Sequence, residues 1–192
     1  MIGVSVPAFA QSKIGGGVKA GVNFSTVTGD IDDGVSKSMR TGGAVGGFIS
    51  MPLTDRVTFE PEILYSMEGV KLEITEAGTT LESTAKVGVV QIPFLFRFAM
   101  PSSGKVSGYV VAGPAVGVLA SAKQTNPLGG GDEDIKDQLK SADFSLVVGA
   151  GVNIQRFLVE ARYSAGLTDV NKEDTGSKNR LQVFSILLGV RF

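Results

Sequence analysis

Along most of the chain, apolar and polar residues alternate one for one. That is the period of a β-strand, whose successive side chains point to opposite faces. Eight segments carry the pattern: 14–25, about 40–51, 57 to about 72, about 85–100, 106 to about 122, about 142–154, 157–167 and 181–192. The last is the clearest. Phe184, Ile186, Leu188, Val190 and Phe192 make one unbroken apolar face, opposite Ser185, Gly189 and Arg191, with Val183 and Leu187 diluting the polar side. An apolar strand face running to Phe192 suggests contact with lipid, because ends exposed to water usually fray.

The same division recurs upstream. Val18, Ala20, Val22 and Phe24 oppose Lys19, Asn23 and Ser25, while Phe59, Ile63, Tyr65 and Met67 oppose Glu60, Glu62, Ser66 and Glu68. Ile92, Phe94, Phe96 and Phe98 oppose Gln91, Pro93, Leu95 and Arg97. Val110, Pro114, Val116 and Val118 oppose Tyr109, Gly113, Gly117 and Ser121, and Val159, Ala161 and Tyr163 oppose Glu160 and Arg162. In the segment 40–51, Phe48 falls on the side of Gly42, Ala44, Gly46 and Ser50 and breaks the pattern, which leaves that strand's faces weakly assigned. Pro61 and Pro93 lie inside strand segments, where each removes a ladder donor; local bulges are expected there.

Connections alternate in length. Segments 52–55, 101–104 and 153–156 read as tight turns, whereas 26–39, 73–84, 123–141 and 168–179 are long and polar. A short helix is expected from about Ile135 to Leu139. Short–long alternation over an even number of strands of ~10 residues is the rhythm of an outer-membrane barrel. Closure satisfies every strand edge, as lipid requires, and eight strands leave an interior just filled by side chains. The fold expected is all-β: an eight-stranded antiparallel up-and-down transmembrane β-barrel.

Composition narrows this further. The chain has 192 residues, enough for one domain with a sizeable core, and 26 glycines, about twice the usual share of ~7%. Mean hydropathy is positive, yet no run of ~18 apolar residues exists, so helical membrane spans are excluded. With no cysteine there are no disulfides or thiolates, and with no histidine the commonest general base and metal ligand are missing. A net charge of −1 offers no footprint for nucleic acid. Pro7-Ala8-Phe9-Ala10 before Gln11 carries an A-x-A cleavage pattern, so residues 1–10 read as the remnant of a signal peptide and 11–192 as the barrel. A short apolar strand is the alternative for that segment.

The polar faces collect Lys19, Glu60, Glu62, Gln91, Arg97, Glu160, Arg162 and Arg191, charges of both signs that suit a lumen where each is paired. Three uses compete: a salt-bridge plug, an ion pathway, or a carboxylate-pair site at Glu60 and Glu62. The plug is preferred, since neither a histidine nor an obvious nucleophile accompanies the carboxylates. Arg191 is expected to meet Glu160 on the adjacent strand. Asp30-Ile31-Asp32-Asp33-Gly34 and Asp132-Glu133-Asp134 offer carboxylates for a hard cation but lack a distal bidentate glutamate, and read as solvated loop tips. Gly15-Gly16-Gly17 and Gly129-Gly130-Gly131 lack the Lys-Ser/Thr ending of a phosphate loop. No catalytic residue, cofactor or metal site is predicted. Phe24, Tyr65, Phe98, Phe144, Phe157, Tyr163 and Phe192 fall mostly near strand ends, as aromatic girdles do, although tryptophan is absent.

The segments Gly17-Val18-Lys19-Ala20-Gly21-Val22-Asn23-Phe24-Ser25, Phe59-Glu60-Pro61-Glu62-Ile63-Leu64-Tyr65-Ser66, Gln91-Ile92-Pro93-Phe94-Leu95-Phe96-Arg97 and Val159-Glu160-Ala161-Arg162-Tyr163-Ser164-Ala165-Gly166-Leu167, in that order, resemble the PorT-like outer-membrane β-barrel family of Bacteroidota. The resemblance spans about 13–192. It implies an eight-stranded outer-membrane barrel and likens Phe192 to the C-terminal signal read by barrel-assembly machinery. The partners expected are outer-membrane lipid, that machinery during biogenesis, and extracellular or secretion partners met through the loops, with no nucleic acid. The function expected is a non-enzymatic envelope or surface-interaction role. Its alternatives are an accessory of protein secretion across the outer membrane, a small-solute pore, and a lipid- or peptide-modifying barrel enzyme. A soluble lipocalin-type barrel is the rival fold. Which face of the segment 157–167 lies inside separates the two.

Overall fold

The computed structural model describes residues 14–28, 35–76, 79–102, 104–125, 132–134, 142–168 and 180–192. The expected signal peptide, the expected helix near Ile135 and the Asp30–Gly34 loop lie outside them. Eight long strands follow one another: β1 (Gly15–Thr28), β2 (Val35–Pro52), β3 (Val57–Glu76), β4 (Thr79–Ala99), β5 (Val106–Thr125), β7 (Ala142–Ile154), β8 (Phe157–Gly166) and β9 (Arg180–Arg191). A three-residue strand, β6 (Asp132–Asp134), pairs with the end of β5, so Asp132-Glu133-Asp134 is a strand and not the loop tip expected.

Every neighbouring pair is antiparallel, β4 pairs with β5, and β9 pairs back onto β1 from Gly17↔Arg191 to Thr28↔Arg180. The sheet is therefore a closed eight-stranded barrel with β6 appended. Closure leaves no long edge to be satisfied by water. Among the described residues no helix is long and apolar enough to cross a membrane. The strands themselves span: β8 has 10 residues and β9 has 12, close to the ~9–11 that a tilted strand needs.

β3, β4 and β5 have 20, 21 and 20 residues. They continue well beyond a spanning length on the side opposite the tight turns. The expected loop 73–84 is thus largely a hairpin, paired out to Glu76↔Thr79. The reason lies in the alternation of Val70, Leu72 and Ile74 with polar residues, which persists through a charge-rich stretch. A polar composition favours solvent but does not forbid pairing.

Two further expectations are corrected by the register. At Pro61, the pairs Phe48↔Glu62 and Met51↔Phe59 share one register; at Pro93, so do Pro93↔Ala115 and Phe96↔Ala112. The prolines sit in the ladders without a bulge. The irregularities fall between Met39 and Ala44 in β2 and between Gly88 and Val89 in β4. The second one absorbs an extra residue of β5: Gly88 pairs with Ser121 but Val89 pairs with Leu119. The shift flips the alternation, so Ser121, expected inside, is exposed, and Ala122 is buried in its place.

The faces are unambiguous. In β8, Glu160 and Arg162 are 0% and 3% exposed, whereas Val159 and Tyr163 are 39% and 40% exposed. The polar side is inside and the apolar side outside, which excludes a soluble barrel of lipocalin type. Val18, Ile49, Ile63, Phe96, Leu146 and Leu188 continue the exposed apolar belt around the circumference. Soluble monomers rarely present an apolar surface so continuous. Of the expected girdle aromatics, Tyr65, Phe98, Phe144, Phe157, Tyr163 and Phe192 point outward, and Phe24 is half-buried beside Phe184.

Candidate functional site

The inward faces of the strands converge on a lumen, and its half nearer the tight turns is filled by charge. Alternation brings Lys19 of β1, Glu60 and Glu62 of β3, and Glu160 and Arg162 of β8 to one level. Lys19 Nζ donates to Glu62 Oε1 at 2.6 Å, Glu60 Oε1 at 3.0 Å and Glu160 Oε2 at 3.4 Å. Its three donors match three acceptors, which an ammonium surrounded by carboxylates requires. Arg162 grips Glu62 with both terminal nitrogens, at 2.7 and 2.6 Å, and donates Nε–H to Glu160.

Glu60 is shared more widely. Its Oε2 accepts from Arg191 Nη2 at 2.6 Å, Ser50 Oγ at 3.1 Å and Arg97 Nη1 at 3.4 Å. Arg97 lies flat on the Tyr109 ring, 3.4 Å from its centroid, and donates to Asn153 Oδ1 at 2.7 Å. Tyr109 in turn donates its hydroxyl to Glu160 at 2.9 Å. Four cations thus meet three carboxylates. Arg191, the partly exposed member, stands at the rim where water screens the excess charge.

Two aromatics close the remaining space, and two glycines make room for them. Phe48 packs where a Cβ on Gly17 would sit, 2.7 Å from the ring's Cε1, and Tyr109 lies against Gly151. Lys19 Nζ is 4.6 Å from the centroid of the Phe48 ring. This explains why Phe48 broke the outer pattern: it is a lumen residue, 5% exposed. Above the charged layer, Leu95, Val111, Ala115 and Val147 form an apolar band with Tyr109.

The structure therefore brings together Lys19, Glu60, Glu62, Arg97, Glu160, Arg162 and Arg191, and leaves Gln91 apart. Gln91 Nε2 donates to Glu68 Oε1 at 2.7 Å, nearer the loop end of the barrel. Arg191 does not meet Glu160, as adjacency suggested, but Glu60 across the lumen. The β8–β9 register sets Glu160 level with Leu187 and so leaves Arg191 a full turn of the pleat away. Phe48, Ser50, Tyr109 and Asn153 complete the layer and were not among the residues expected in the lumen network, although Phe48 stood out as breaking the pattern of its strand. Their inward parity was the available signal, but their polar or aromatic character alone named no partner.

The charged layer has little capacity for chemistry. Glu60, Glu62 and Glu160 are each held by two or more cationic or hydroxyl donors. A carboxylate so saturated is a poor general base. Breaking such a buried network by removing one partner costs about 3–5 kcal/mol.

The fold has counterparts among known proteins. The chain resembles Neisserial surface protein A at 14% identity and TM-score 0.53, over 92% of this chain and 97% of that one. It also aligns with Ail, the attachment invasion locus protein of Yersinia pestis, at 18% identity and TM-score 0.45, over 93% and 99%. A third match is the outer membrane protein OprG from Pseudomonas aeruginosa, at 10% identity and TM-score 0.49, over 93% and 96%. The first of these likenesses concerns the fold alone. No curated protein matches the sequence. A family model described as outer membrane protein beta-barrel domain matches residues 9–172. With an apolar belt outside, a polar lumen inside and that match over most of its length, the chain belongs to the outer membrane protein beta-barrel domain family and is an outer-membrane protein.

Proposed function

We propose that this barrel is a sealed, non-enzymatic anchor that works in the envelope through the structure it raises on the outer side. The filled charged layer carries the reading. With Lys19, Glu60, Glu62, Glu160 and Arg162 in mutual contact and Phe48 and Tyr109 beside them, solute has no continuous water path. The same saturation argues against catalysis by the lumen carboxylates. What is left to act is the extended β3–β4 hairpin and the β5 wall, which rise on the side that outer-membrane barrels turn to the exterior. The four segments 17–25, 59–66, 91–97 and 159–167 support placing the chain in the PorT-like branch; the role proposed is a surface-interaction one, with assistance to protein secretion as the alternative.

Two measurements test this. In planar bilayers the purified barrel is expected to give no resolved conductance steps; steady unit conductance would overturn the sealed lumen. In cells, replacing 70–85 by a short turn is expected to leave the barrel assembled and heat-modifiable while reproducing the envelope phenotype of the deletion strain. Full complementation by that shortened barrel would overturn a role for the hairpin.

A further inference from the structure

The loop-end half of the lumen differs from the plug in one respect: among the described residues, Glu68 and Asp143 have no ion-pair partner. Glu68 of β3 is 1% exposed, and its Oε1 accepts from Ser66 Oγ at 2.7 Å and Gln91 Nε2 at 2.7 Å. Its Oε2 is buried with no hydrogen-bond partner among the described residues. An unsatisfied buried carboxylate oxygen is costly and calls for a missing group. Glu68 lines a void of about 10 Å³ together with Gln91, Asp143, Ser145, Ser164 and Gly166. That volume holds roughly one water-sized sphere. Asp143, at the start of β7, folds its carboxylate inward over Gly117 into the same region.

Neither Glu68 nor Asp143 is in an ion pair among the described residues. The Arg40 guanidinium beside them donates to the backbone carbonyl of Glu68, not to its carboxylate. Among the described residues no trio of acidic side chains is present. The lining offers two carboxylates and the neutral hydroxyl oxygens of Ser145 and Ser164.

We infer that this mouth of the lumen is a binding site for one hard divalent cation, calcium or magnesium, held by Glu68 and Asp143. Two carboxylates balance a double charge, and oxygen donors suit cations of this class. Lying where β7 and β9 begin and β8 ends, the site is reached from the loop side, so an ion enters without passing the plug. A cation here ties β3 to β7 across the lumen and stiffens the base from which the β3–β4 hairpin rises. The inference deepens the proposed anchoring role but does not depend on it, since the ion is assayed directly.

The test compares detergent-refolded wild type with Glu68→Gln, Asp143→Asn and a triple Asp30→Asn/Asp32→Asn/Asp33→Asn control, each titrated with calcium chloride and magnesium chloride. Folding is checked by heat-modifiable gel mobility. Wild type and the loop control are expected to take up one ion per barrel, with a matching rise in the urea midpoint. Either lumen variant is expected to weaken uptake at least tenfold and to lose the midpoint rise. Equal uptake by wild type and Glu68→Gln would overturn the site, as would loss of uptake in the loop control alone. An infrared carboxylic-acid band that vanishes in Glu68→Gln but persists in wild type at saturating calcium would also overturn it, because a proton would then occupy the place given to the ion. Should one lumen variant fail to fold, the other decides.

Discussion

At the tight-turn end of the lumen, Glu60, Glu62 and Glu160 meet Lys19, Arg97, Arg162 and Arg191; at the loop end, Glu68 meets the Ser66 hydroxyl and the Gln91 amide, and shares a void with Asp143. Both ends come from the same inward parity, and β3 alone supplies Glu60, Glu62 and Glu68. The difference is what the opposite wall presents. Opposite Glu60 and Glu62 stand long cationic side chains whose reach spans the barrel. Opposite Glu68 stand Ser145 and Ser164, too short to cross it and carrying no charge. Every carboxylate of the plug is paired, whereas Glu68 at the mouth keeps a carboxylate oxygen without a partner among the described residues. For the carboxylates of β3, the charge presented by the other strands separates the two roles.

The largest expected effect falls on the plug. Lys19→Met removes the ammonium shared by three carboxylates and should destabilise the barrel by about 3–5 kcal/mol, read as a lower urea midpoint in detergent. A change under 1 kcal/mol would mean the network is not what holds this end shut.

Next comes packing. Gly17→Val pushes a side chain against the Val190 backbone carbonyl and into the space of the Phe48 ring, and should cost about 1–3 kcal/mol, of which only the Phe48 part can be relieved by a second substitution. Pairing it with Phe48→Ala should recover part of that loss, as expected of two residues in contact. Purely additive costs would show that the two do not compete for one space.

A smaller gain is expected outside the lumen. Gln155, in the β7–β8 turn, adopts a φ of 57°, a region that L-residues other than asparagine and aspartate avoid. Gln155→Asn should stabilise by roughly 1 kcal/mol without changing either lumen layer, checked by the same urea titration.

The smallest effect sharpens the comparison most. With divalent ions chelated, Glu68→Gln should change stability by less than about 1 kcal/mol, or raise it slightly, because it removes a charge that lacks a counter-charge. Glu60→Gln under the same conditions should destabilise clearly, since it strips acceptors from Arg191 and Arg97. Equal responses of the two would erase the distinction between the halves.

How much of this was readable in advance varies by feature. The period-two pattern of Glu160, Arg162 and Ser164 against Val159, Ala161 and Tyr163 was enough to divide the wall into a polar and an apolar face, while which face lies inside came from the structure. It was legible because lipid and lumen impose opposite demands on successive residues. Arg191 shows the limit. Its inward direction followed from parity, but its partner Glu60 lies 131 positions away in sequence, and only the shear of the closed sheet sets the two together. Ser121 shows a second limit. One extra residue in β5 reverses the parity beyond it, and nothing in the local pattern marks where the slip occurs.

Alternation along single strands, with glycine-rich inner faces and no histidine or cysteine, was sufficient for an all-β membrane barrel with a polar interior. Such a pattern records the environment of each face, which is a local property of side-chain chemistry. Register, bulge position and the matching of charges across the lumen depend on how eight strands close on one another. Closure is a property of the whole sheet, so the saturated plug and the unsatisfied mouth became distinguishable only once the barrel was complete.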